Sequence, residues 1–279
     1  MEPTVPDVTL ANPRADRVKQ VRALSGRSSR LRHSRFLVEG PQGVREAVRF
    51  APGSLRDVYL TPTTAARYAE IADDAREAGL YVHIGTDEVL SAMSPDCQGV
   101  LAVADLPSIP QKEVESAGAT GAPRLLAILS NVRDPGNAGA AIRCTDAAGA
   151  DAVLFAGDCV DVYSPKVVRA TAGSLFHLPI ETGQTLAEAV ESARESGCRV
   201  LAADGCGTTD LFTLQNSGAL AAPSAWIFGN EAWGLTEAER ALADDVVRVP
   251  ILGRAESLNL ATAAAVCLYA SAAAQARPV

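Results

Sequence analysis

The chain has 279 residues, of which 48% are hydrophobic and only 5% aromatic, and its formal net charge is −8. This length allows one large domain or two modest ones, each with a real core. No apolar run reaches the roughly 18 residues that a membrane helix needs, and the start of the chain lacks the basic and apolar stretches of a signal peptide. We therefore expect a globular protein of the cytoplasm.

The six cysteines and three histidines follow no metal-binding spacing. The cysteines are scattered, without a Cys-x-x-Cys pair or a histidine pattern nearby. This argues against a zinc site and against a disulfide framework, and it is typical of buried free thiols. We expect no metal chemistry.

The first structural segment of the chain is strongly basic. Residues 14–35 contain seven arginines and one lysine against a single aspartate. Such a stripe attracts phosphates even on an acidic protein, because screening confines each field to about 8–10 Å. A solvated helix face is the alternative, but the planar fork of arginine suits phosphate well. We therefore predict RNA contacts at Arg22, Arg27, Arg30, Arg32 and Arg35.

Short apolar runs then alternate with helical patterns up to residue 106. Strands are predicted at 35–39, 55–60, 81–84 and 100–104, and helices at 41–50 and 64–78. This alternation predicts a small α/β domain over residues 12–106. Residues 107–123 are rich in proline, glycine and small residues, which predicts a linker.

The remaining residues, 124–279, repeat the alternation with more apolar strands. These are predicted at 125–129, 152–155, 199–203, 225–228 and 246–249. Continuous apolar strands are typical of a parallel sheet that is covered on both faces. The alanine-rich segment 258–274 predicts a helix that is buried on this sheet or against another subunit.

Polar clusters follow three of these apolar strands, at residues 130–143, 229–235 and 250–261. Loops at the carboxyl ends of strands, leading into helices, are where open α/β sheets bind ligands. Each cluster alone also fits an ordinary turn or helix cap, and Ser257 in particular fits an N-cap. Arg143 fits that explanation less well, since it lies beside Ala141 and Ile142 without an acidic residue one helical turn before it.

Taken in order, the three clusters resemble the three signature motifs of the SpoU (TrmH-type) RNA ribose methyltransferases, in the SPOUT superfamily. The matching residues are Asn131, Gly136, Asn137, Gly139 and Arg143, then Gly229, Asn230, Glu231 and Gly234, then Pro250, Gly253, Glu256, Ser257, Leu258 and Asn259. In the first half, residues 36–40 and 97–103 resemble the substrate-binding domain often fused to this family, whose fold is like that of certain small ribosomal proteins.

The resemblance implies an α/β domain with a parallel sheet and a C-terminal trefoil knot, a homodimer, and methyl transfer from S-adenosylmethionine to a ribose 2′-hydroxyl. Carried over by position, the catalytic residues are Arg143, Asn137, Glu231, Ser257 and Asn259. The cofactor-binding residues are Gly229, Asn230, Val249, Ile251, Ser257 and Leu258. Because a guanidinium stays protonated in proteins, we expect Arg143 to clamp a phosphate and orient the ribose instead of acting as a base.

Two other classes of protein compete with this interpretation. Residues 204–210 partly match the glycine fingerprint of a Rossmann-type nucleotide enzyme, but the third glycine is replaced by Asp210. A non-catalytic RNA-binding protein of the same fold is the second alternative, and the intact motif residues argue against it.

Among substrates we favour 23S ribosomal RNA over transfer RNA, since the added basic domain suits a large structured RNA. Such an enzyme could also confer antibiotic resistance, which the sequence does not decide.

Overall fold

The structure is a computed structural model that describes residues 7–107 and 123–275. These residues form two units. The N-terminal unit contains residues 7–107 together with Asp161–His177, and the C-terminal unit contains residues 123–160 and 178–275. The predicted linker, residues 107–123, lies outside the described residues except at its two ends. No helix among the described residues is both long and apolar enough to cross a membrane.

The N-terminal unit is built on a four-stranded sheet. Its strands are β1 (Arg35–Glu39), β2 (Leu55–Leu60), β3 (Tyr81–Ile84) and β4 (Val100–Asp105), in the order β1-β4-β2-β3. Strand β4 runs antiparallel to β1 and β2, whereas β2 and β3 are parallel. All four predicted strands are confirmed to within one residue. Strands β1, β2 and β4 are mostly buried, whereas only Ile84 of β3 is buried.

Six helices precede the end of this sheet. They are α1 (Asp16–Ala23), α2 (Arg27–His33), α3 (Pro41–Phe50), α4 (Pro62–Arg67), α5 (Ala69–Glu77) and α6 (Asp87–Met93). The prediction of one helix over 64–78 is wrong, because Tyr68 leaves the helical conformation at φ −122° and ψ 52° and separates α4 from α5. Helix α4 also begins earlier than predicted, since Thr61 and Thr64 form a capping box around Pro62.

The C-terminal unit is built on a seven-stranded sheet whose paired strands are all parallel. Its strands are β5 (Leu125–Ser130), β6 (Ala152–Ala156), β7 (Ile180–Gln184), β8 (Arg199–Ala203), β9 (Thr209–Asp210), β10 (Ser224–Phe228) and β11 (Asp245–Arg248), in the order β7-β6-β5-β10-β8-β11-β9. The parallel α/β sheet and its five predicted strands are confirmed. The polar strand β7 and the two-residue strand β9 were not predicted.

The later helices are α7 (Pro135–Ala147), α8 (Pro165–Ala170, in the segment that belongs to the N-terminal unit), α9 (Leu186–Glu195), α10 (Leu211–Asn216), α11 (Glu237–Arg240) and α12 (Leu260–Ala274). Helix α12 packs on β5, β10 and α7. The hydroxyl of its Ser271 accepts a hydrogen bond from the buried Trp226 indole at 2.9 Å. Of the two burial sites expected for this apolar helix, the sheet is therefore the one observed.

The segment Asp161–His177 supplies core contacts to the N-terminal unit. Asp161 forms an ion pair of 2.5 Å with the buried Arg30, and Arg169 pairs with the buried carboxylate of Glu39. The ring of Phe36 lies 5.0 Å from that of Tyr163. The two units therefore do not follow the predicted domain limits, 12–106 and 124–279, along the whole chain.

The six cysteines are free thiols, as expected for this spacing. Cys97, Cys198 and Cys267 are buried, and burial raises the pKa of the Cys267 thiol. Cys206 is exposed, because it lies on the turn that follows β8. Within the described ranges, no three His, Cys, Asp or Glu side chains are grouped so that they could hold a metal ion.

Candidate active site

Three loops of the C-terminal unit meet at one edge of its sheet. They follow β5, β10 and β11, which all run parallel, so their carboxyl ends point the same way. Strands β5 and β10 are direct neighbours at the centre of the sheet. The three polar clusters of the sequence are thus brought to a common edge by the strand order.

One hydrogen-bonded chain of side chains joins these loops. The Asn137 amide nitrogen donates to a Glu231 carboxylate oxygen at 3.3 Å, and the Asn259 amide nitrogen donates to the Asn137 amide oxygen at 2.7 Å. Glu231 also accepts backbone N–H bonds from Arg133 at 3.4 Å and Asp134 at 3.2 Å. Three of the five predicted catalytic residues are therefore in direct contact, although 94 and 122 positions separate them along the chain.

The start of α7 places Asn137 in this chain. The Asp134 carboxylate caps the helix by accepting the backbone N–H of Asn137 at 2.8 Å, and Pro135 occupies the first helical position. This cap fixes the first helical turn against the loop that holds Glu231. The first turn of α7 is therefore an ordered part of the site.

Asn131 connects the first loop to its neighbours from a left-handed conformation, φ 54°. Its amide oxygen accepts the Asp158 N–H at 2.9 Å, and its amide nitrogen donates to Glu239 at 2.9 Å. Gly157 lies against this amide so closely that a Cβ there would be 2.5 Å from its oxygen. A larger residue at 157 would therefore displace Asn131.

Asn230 holds the second loop in a closed conformation. Its side chain is buried, donates to the Asn131 carbonyl at 2.6 Å and accepts the Ala232 N–H at 2.8 Å. Its backbone N–H and carbonyl both pair with Gly234. These hydrogen bonds hold the second loop closed, and a role of Asn230 in cofactor binding stays a prediction. The neighbouring Gly229 is needed for the same closure, since a Cβ there would lie 2.5 Å from the Gly234 carbonyl carbon.

Glu239, which was not predicted, supports the site from behind. Its carboxylate accepts hydrogen bonds from Ser130 at 2.8 Å, from Asn131 at 2.9 Å and from the Thr236 N–H at 2.7 Å. Burial would raise the pKa of this carboxyl, but the hydrogen bonds from Thr236, Ser130 and Asn131 outweigh it and lower the pKa. The Thr236–Glu239 spacing is a capping box, which is the only sequence signal for this residue.

We expect Glu239→Gln to lower the unfolding free energy by about 1–2 kcal/mol at neutral pH. Glutamine keeps only one of the two carboxylate oxygens, while the groups that donate hydrogen bonds to them remain. Because the folded pKa is lowered, the stabilisation by Glu239 is present above its unfolded pKa and disappears as the pH falls through the folded pKa. Urea unfolding of both proteins between neutral and acidic pH checks this. A difference in unfolding free energy between the two proteins that stays constant over the pH range in which carboxyls titrate would contradict it. Glu237→Gln on the same helix is the matched control.

Arg143 and Ser257 are not joined to the hydrogen-bonded chain. Both side chains are exposed, and neither side chain forms a hydrogen bond or an ion pair within residues 7–107 and 123–275. The alternative explanation of Ser257 as a helix cap does not hold, because Asn259 accepts the Ala261 N–H at 2.9 Å and α12 begins at Leu260. The side chains of Arg143 and Ser257 are thus free for a ligand.

The third loop has unused backbone groups. Among the described residues, the backbone of 251–257 makes no hydrogen bond, and these residues are exposed, with Leu252 at 90%. Val249 and Leu258 at its ends are half-buried. Free N–H and C=O groups beside apolar side chains suit a ligand that carries both polar and apolar parts.

The predicted RNA-binding arginines divide into two groups. Arg22, Arg27, Arg32 and Arg35 are exposed. Arg30 is only 3% exposed and donates to the carbonyls of Leu24 and Ser25 as well as to Asp161. The prediction is wrong for Arg30, because its guanidinium is buried and already bonded inside the N-terminal unit and cannot reach a phosphate.

The sequence of this chain matches a known protein family. The family model described as the SpoU rRNA Methylase family matches residues 124–269, which is more than half of the chain. The chain belongs to this family. The match covers all three loops, so the resemblance drawn from their motifs is confirmed.

Curated relatives match most of the chain. A 23S rRNA (guanosine-2′-O-)-methyltransferase, RlmB, from Bordetella pertussis is 31% identical over 84% of this chain and 96% of its own length. A 23S rRNA (uridine(2479)-2′-O)-methyltransferase from Streptomyces viridochromogenes is 30% identical over 93% of this chain and 95% of its own length. The similarity therefore extends beyond the C-terminal motifs into the N-terminal half.

Solved structures show the same fold. The SpoU methyltransferase AviRb from Streptomyces viridochromogenes, in complex with AdoMet, has a TM-score of 0.79 and 29% identity, covering 95% of this chain and all of its own. An AdoMet-bound rRNA methyltransferase from Sinorhizobium meliloti has a TM-score of 0.77 and 28% identity over 94% of this chain and 96% of its own. The α/β fold of the SpoU type is thus confirmed for the chain.

The Rossmann alternative loses its basis in the same region. The loop after β8 folds on itself, because Asp204 accepts the N–H of Cys206 at 2.8 Å and the N–H of Leu235 at 3.4 Å. Its carboxylate also lies 3.5 Å from Arg240. The glycines at 205 and 207 therefore serve a turn that braces the second loop.

Proposed function

We propose that the chain transfers a methyl group from S-adenosylmethionine to the 2′-hydroxyl of a ribose in RNA, and that 23S ribosomal RNA is its substrate. The observation that carries this proposal is the contact chain Asn259–Asn137–Glu231 between the three family motifs. The relatives named above as 23S rRNA 2′-O-methyltransferases support the choice of RNA.

The residues of the third loop fit the cofactor. S-adenosylmethionine combines polar amino, carboxyl and adenine groups with an apolar methylthio part. The free backbone groups of 251–257 can pair with the polar groups, and Val249, Ile251 and Leu258 can contact the apolar ones. Gly229 and Asn230 would contribute through the closed second loop. When bound, the cofactor supplies a methyl group on a sulfonium, which an oxygen nucleophile accepts.

The protein residues then position the acceptor ribose. Glu231 is oriented by two backbone N–H groups and by Asn137, so its carboxylate can accept a ribose hydroxyl at a fixed place. Arg143 is exposed, lies on the same helix as Asn137 and stays protonated, so we assign it to a phosphate of the RNA. The hydroxyl proton leaves to that phosphate or to water. Orientation of the two reactants supplies most of the rate.

We also propose that the protein is a homodimer that acts in the cytoplasm, where a ribosomal RNA substrate is met. The family resemblance supports the dimer, whose second subunit would complete the site around Arg143 and Ser257. Light scattering on purified protein tests the dimer, and a monomer that retains full activity would rule it out.

The test of the proposed function is transfer of tritiated methyl from S-adenosylmethionine to purified 23S and transfer RNA. We expect label in 23S RNA, and Asn137→Ala to lower the rate by about 10–100-fold, since Glu231 and Asn259 both lose their partner. Asn216→Ala, an exposed asparagine of the same unit, is the control and should match the wild type.

Each other outcome identifies an alternative. Label in transfer RNA alone would identify transfer RNA as the substrate instead of 23S RNA. RNA binding without any transfer would favour a non-catalytic RNA-binding protein. A wild-type rate in Asn137→Ala would contradict the assignment of the contact chain. Mapping the 2′-O-methyl that is lost in a deletion strain would then give the nucleotide.

A further inference from the structure

One face of the N-terminal unit carries a cluster of charged and aromatic side chains that lies outside the three sequence motifs. We call it the β3-side cluster and define it as Arg17, Arg35, Arg56, Asp57, Tyr81, His83 and Asp105. All of its members except Asp105 line two adjoining cavities of about 150 Å³ and about 250 Å³, which share Arg17, Arg35 and Asp57. The cavities lie over the sheet, beside helix α1.

The strand register assembles this cluster. Arg35 of β1 is opposite Asp105 of β4, and Asp57 of β2 is opposite Tyr81 of β3. The pairing of β2 with β4 is interrupted between Leu55 and Asp57, so Arg56 lies at a bulge. Bulges re-aim side chains and are frequent beside functional sites. Here the bulge lets Arg56 and Asp57 line the same cavity.

Two carboxylates hold the cationic groups of the cluster. Asp105 accepts from Arg56 at 2.7 Å and lies 3.7 Å from Arg35. Asp57 contacts His83 at 2.8 Å and Arg17 at 3.5 Å. The hydrogen bond from His83 is the main reason why the pKa of Asp57 is lowered. The guanidiniums are therefore oriented, yet the side chains of Arg17, Arg35 and Arg56 remain about half exposed, at 48%, 45% and 56%.

Tyr81 adds an unsatisfied aromatic surface. It lies on the edge strand β3 and is 74% exposed, whereas the nearby Tyr59 is buried and stacks on His83 with ring centroids 5.0 Å apart. The Tyr59 ring is part of the core, and its burial raises the pKa of Tyr59 to about 12. Tyr81 has no such partner ring among residues 7–107. Of these two tyrosines, Tyr81 is therefore the one available to an external planar group.

We infer that the β3-side cluster binds an unpaired nucleotide of the RNA substrate, with its phosphate on the guanidiniums and its base on the Tyr81 ring. Stacking on exposed aromatics combined with arginine contacts is how proteins bind single-stranded nucleic acid. The inference rests on the proposed function for the identity of the RNA. It extends the predicted basic stripe, since Arg56, Tyr81 and His83 lie outside residues 14–35.

A surface ion-pair network is the competing explanation, and it makes a different prediction. Exposed ion pairs contribute roughly 0–1 kcal/mol to stability, so removing one should change neither RNA binding nor folding much. A nucleotide site requires each guanidinium and the ring separately. The comparison of Arg56 with another paired, half-exposed arginine of the same unit distinguishes the two. Arg76 qualifies, since it pairs with Asp73 at 2.9 Å and its side chain is 51% exposed.

The experiment measures binding of a fluorescent ten-nucleotide oligouridylate to the full-length protein without cofactor. We expect Tyr81→Ala and Arg56→Gln each to weaken binding by about tenfold, and Tyr81→Phe to restore it, since stacking needs the ring and not the hydroxyl. Arg56→Gln should also reduce the dependence of binding on salt. Arg76→Gln should behave as the wild type. With 23S RNA, KM should rise in the first two variants at unchanged kcat.

Two results would overturn the inference. One is equal weakening by Arg56→Gln and Arg76→Gln, which would indicate general attraction to a charged surface. The other is unchanged oligonucleotide binding and KM in Tyr81→Ala. Because binding is measured without methyl transfer, a wild-type protein that binds through this cluster but methylates no RNA would contradict the proposed function alone. Thermal unfolding of every variant confirms that it is folded.

Discussion

Replacing Arg143 by alanine should lower kcat for RNA methylation by about 100-fold or more, while leaving thermal unfolding nearly unchanged. The expected size follows from the loss of a positioning contact, for which displacement of a reactant by about 1 Å costs about 100-fold. Stability should be preserved because the Arg143 side chain is exposed and forms no ion pair or hydrogen bond with the described residues. Single-turnover methylation and a melting curve on the same samples check both parts.

The lysine variant tests the manner of the contact. Arg143→Lys keeps the charge but loses the two-pronged fork, so we expect it to remain well below the wild-type rate. Activity near wild type in this variant would rule out a bidentate phosphate clamp. Arg248→Ala, an exposed arginine of the same unit, is a suitable control and should retain its activity.

The second large effect concerns stability. Asp161→Ala should lower the unfolding free energy of the N-terminal unit by about 3 kcal/mol or more, because it leaves the charge of Arg30 buried without its partner. Arg30 is 3% exposed, and its Nε already lacks a hydrogen-bond partner. The loss also removes the acceptor for the Tyr163 N–H at 3.0 Å.

The measurement must report on the correct unit. Both tryptophans, Trp226 and Trp233, lie in the C-terminal unit, so their fluorescence would follow the wrong transition. Hydrogen exchange of β1 and far-ultraviolet circular dichroism in urea are the appropriate probes. Asp73→Ala removes the exposed partner of Arg76 in the same unit and should change stability by less than about 1 kcal/mol. A similarly small change in Asp161→Ala would contradict the importance of the buried pair.

The sequence predicted the central strands well and the edges poorly. The strand Leu125–Ser130 is fully buried, and its first five residues are continuously apolar. The edge strand β7 contains Glu181, Thr182 and Gly183, whose polarity hides it. Tyr68 breaks a pattern that looked like one continuous helix, since its conformation depends on packing and not on helix propensity.

The site was predicted through its motifs, but the tasks of individual residues were not. Asn137, Glu231 and Asn259 meet as the family resemblance implied, although no spacing rule could have shown it. Asn230 was assigned to the cofactor, because an amide in a glycine loop serves a ligand or its own backbone equally well. Glu239 was missed because its contacts to Ser130 and Asn131 cross more than a hundred positions of sequence.

The segment Asp161–His177 affects how this chain can exchange parts with its relatives. It lies inside the region matched by the family model, residues 124–269, yet its Asp161, Tyr163 and Arg169 contact Arg30, Phe36 and Glu39. A chimera that replaces only residues 1–107 would therefore join a foreign sheet to the original segment. Residues 1–107 and Asp161–His177 must therefore be exchanged together in such a chimera. Substitutions at Glu39 or Arg30 are constrained by their partners, which lie more than 120 positions away.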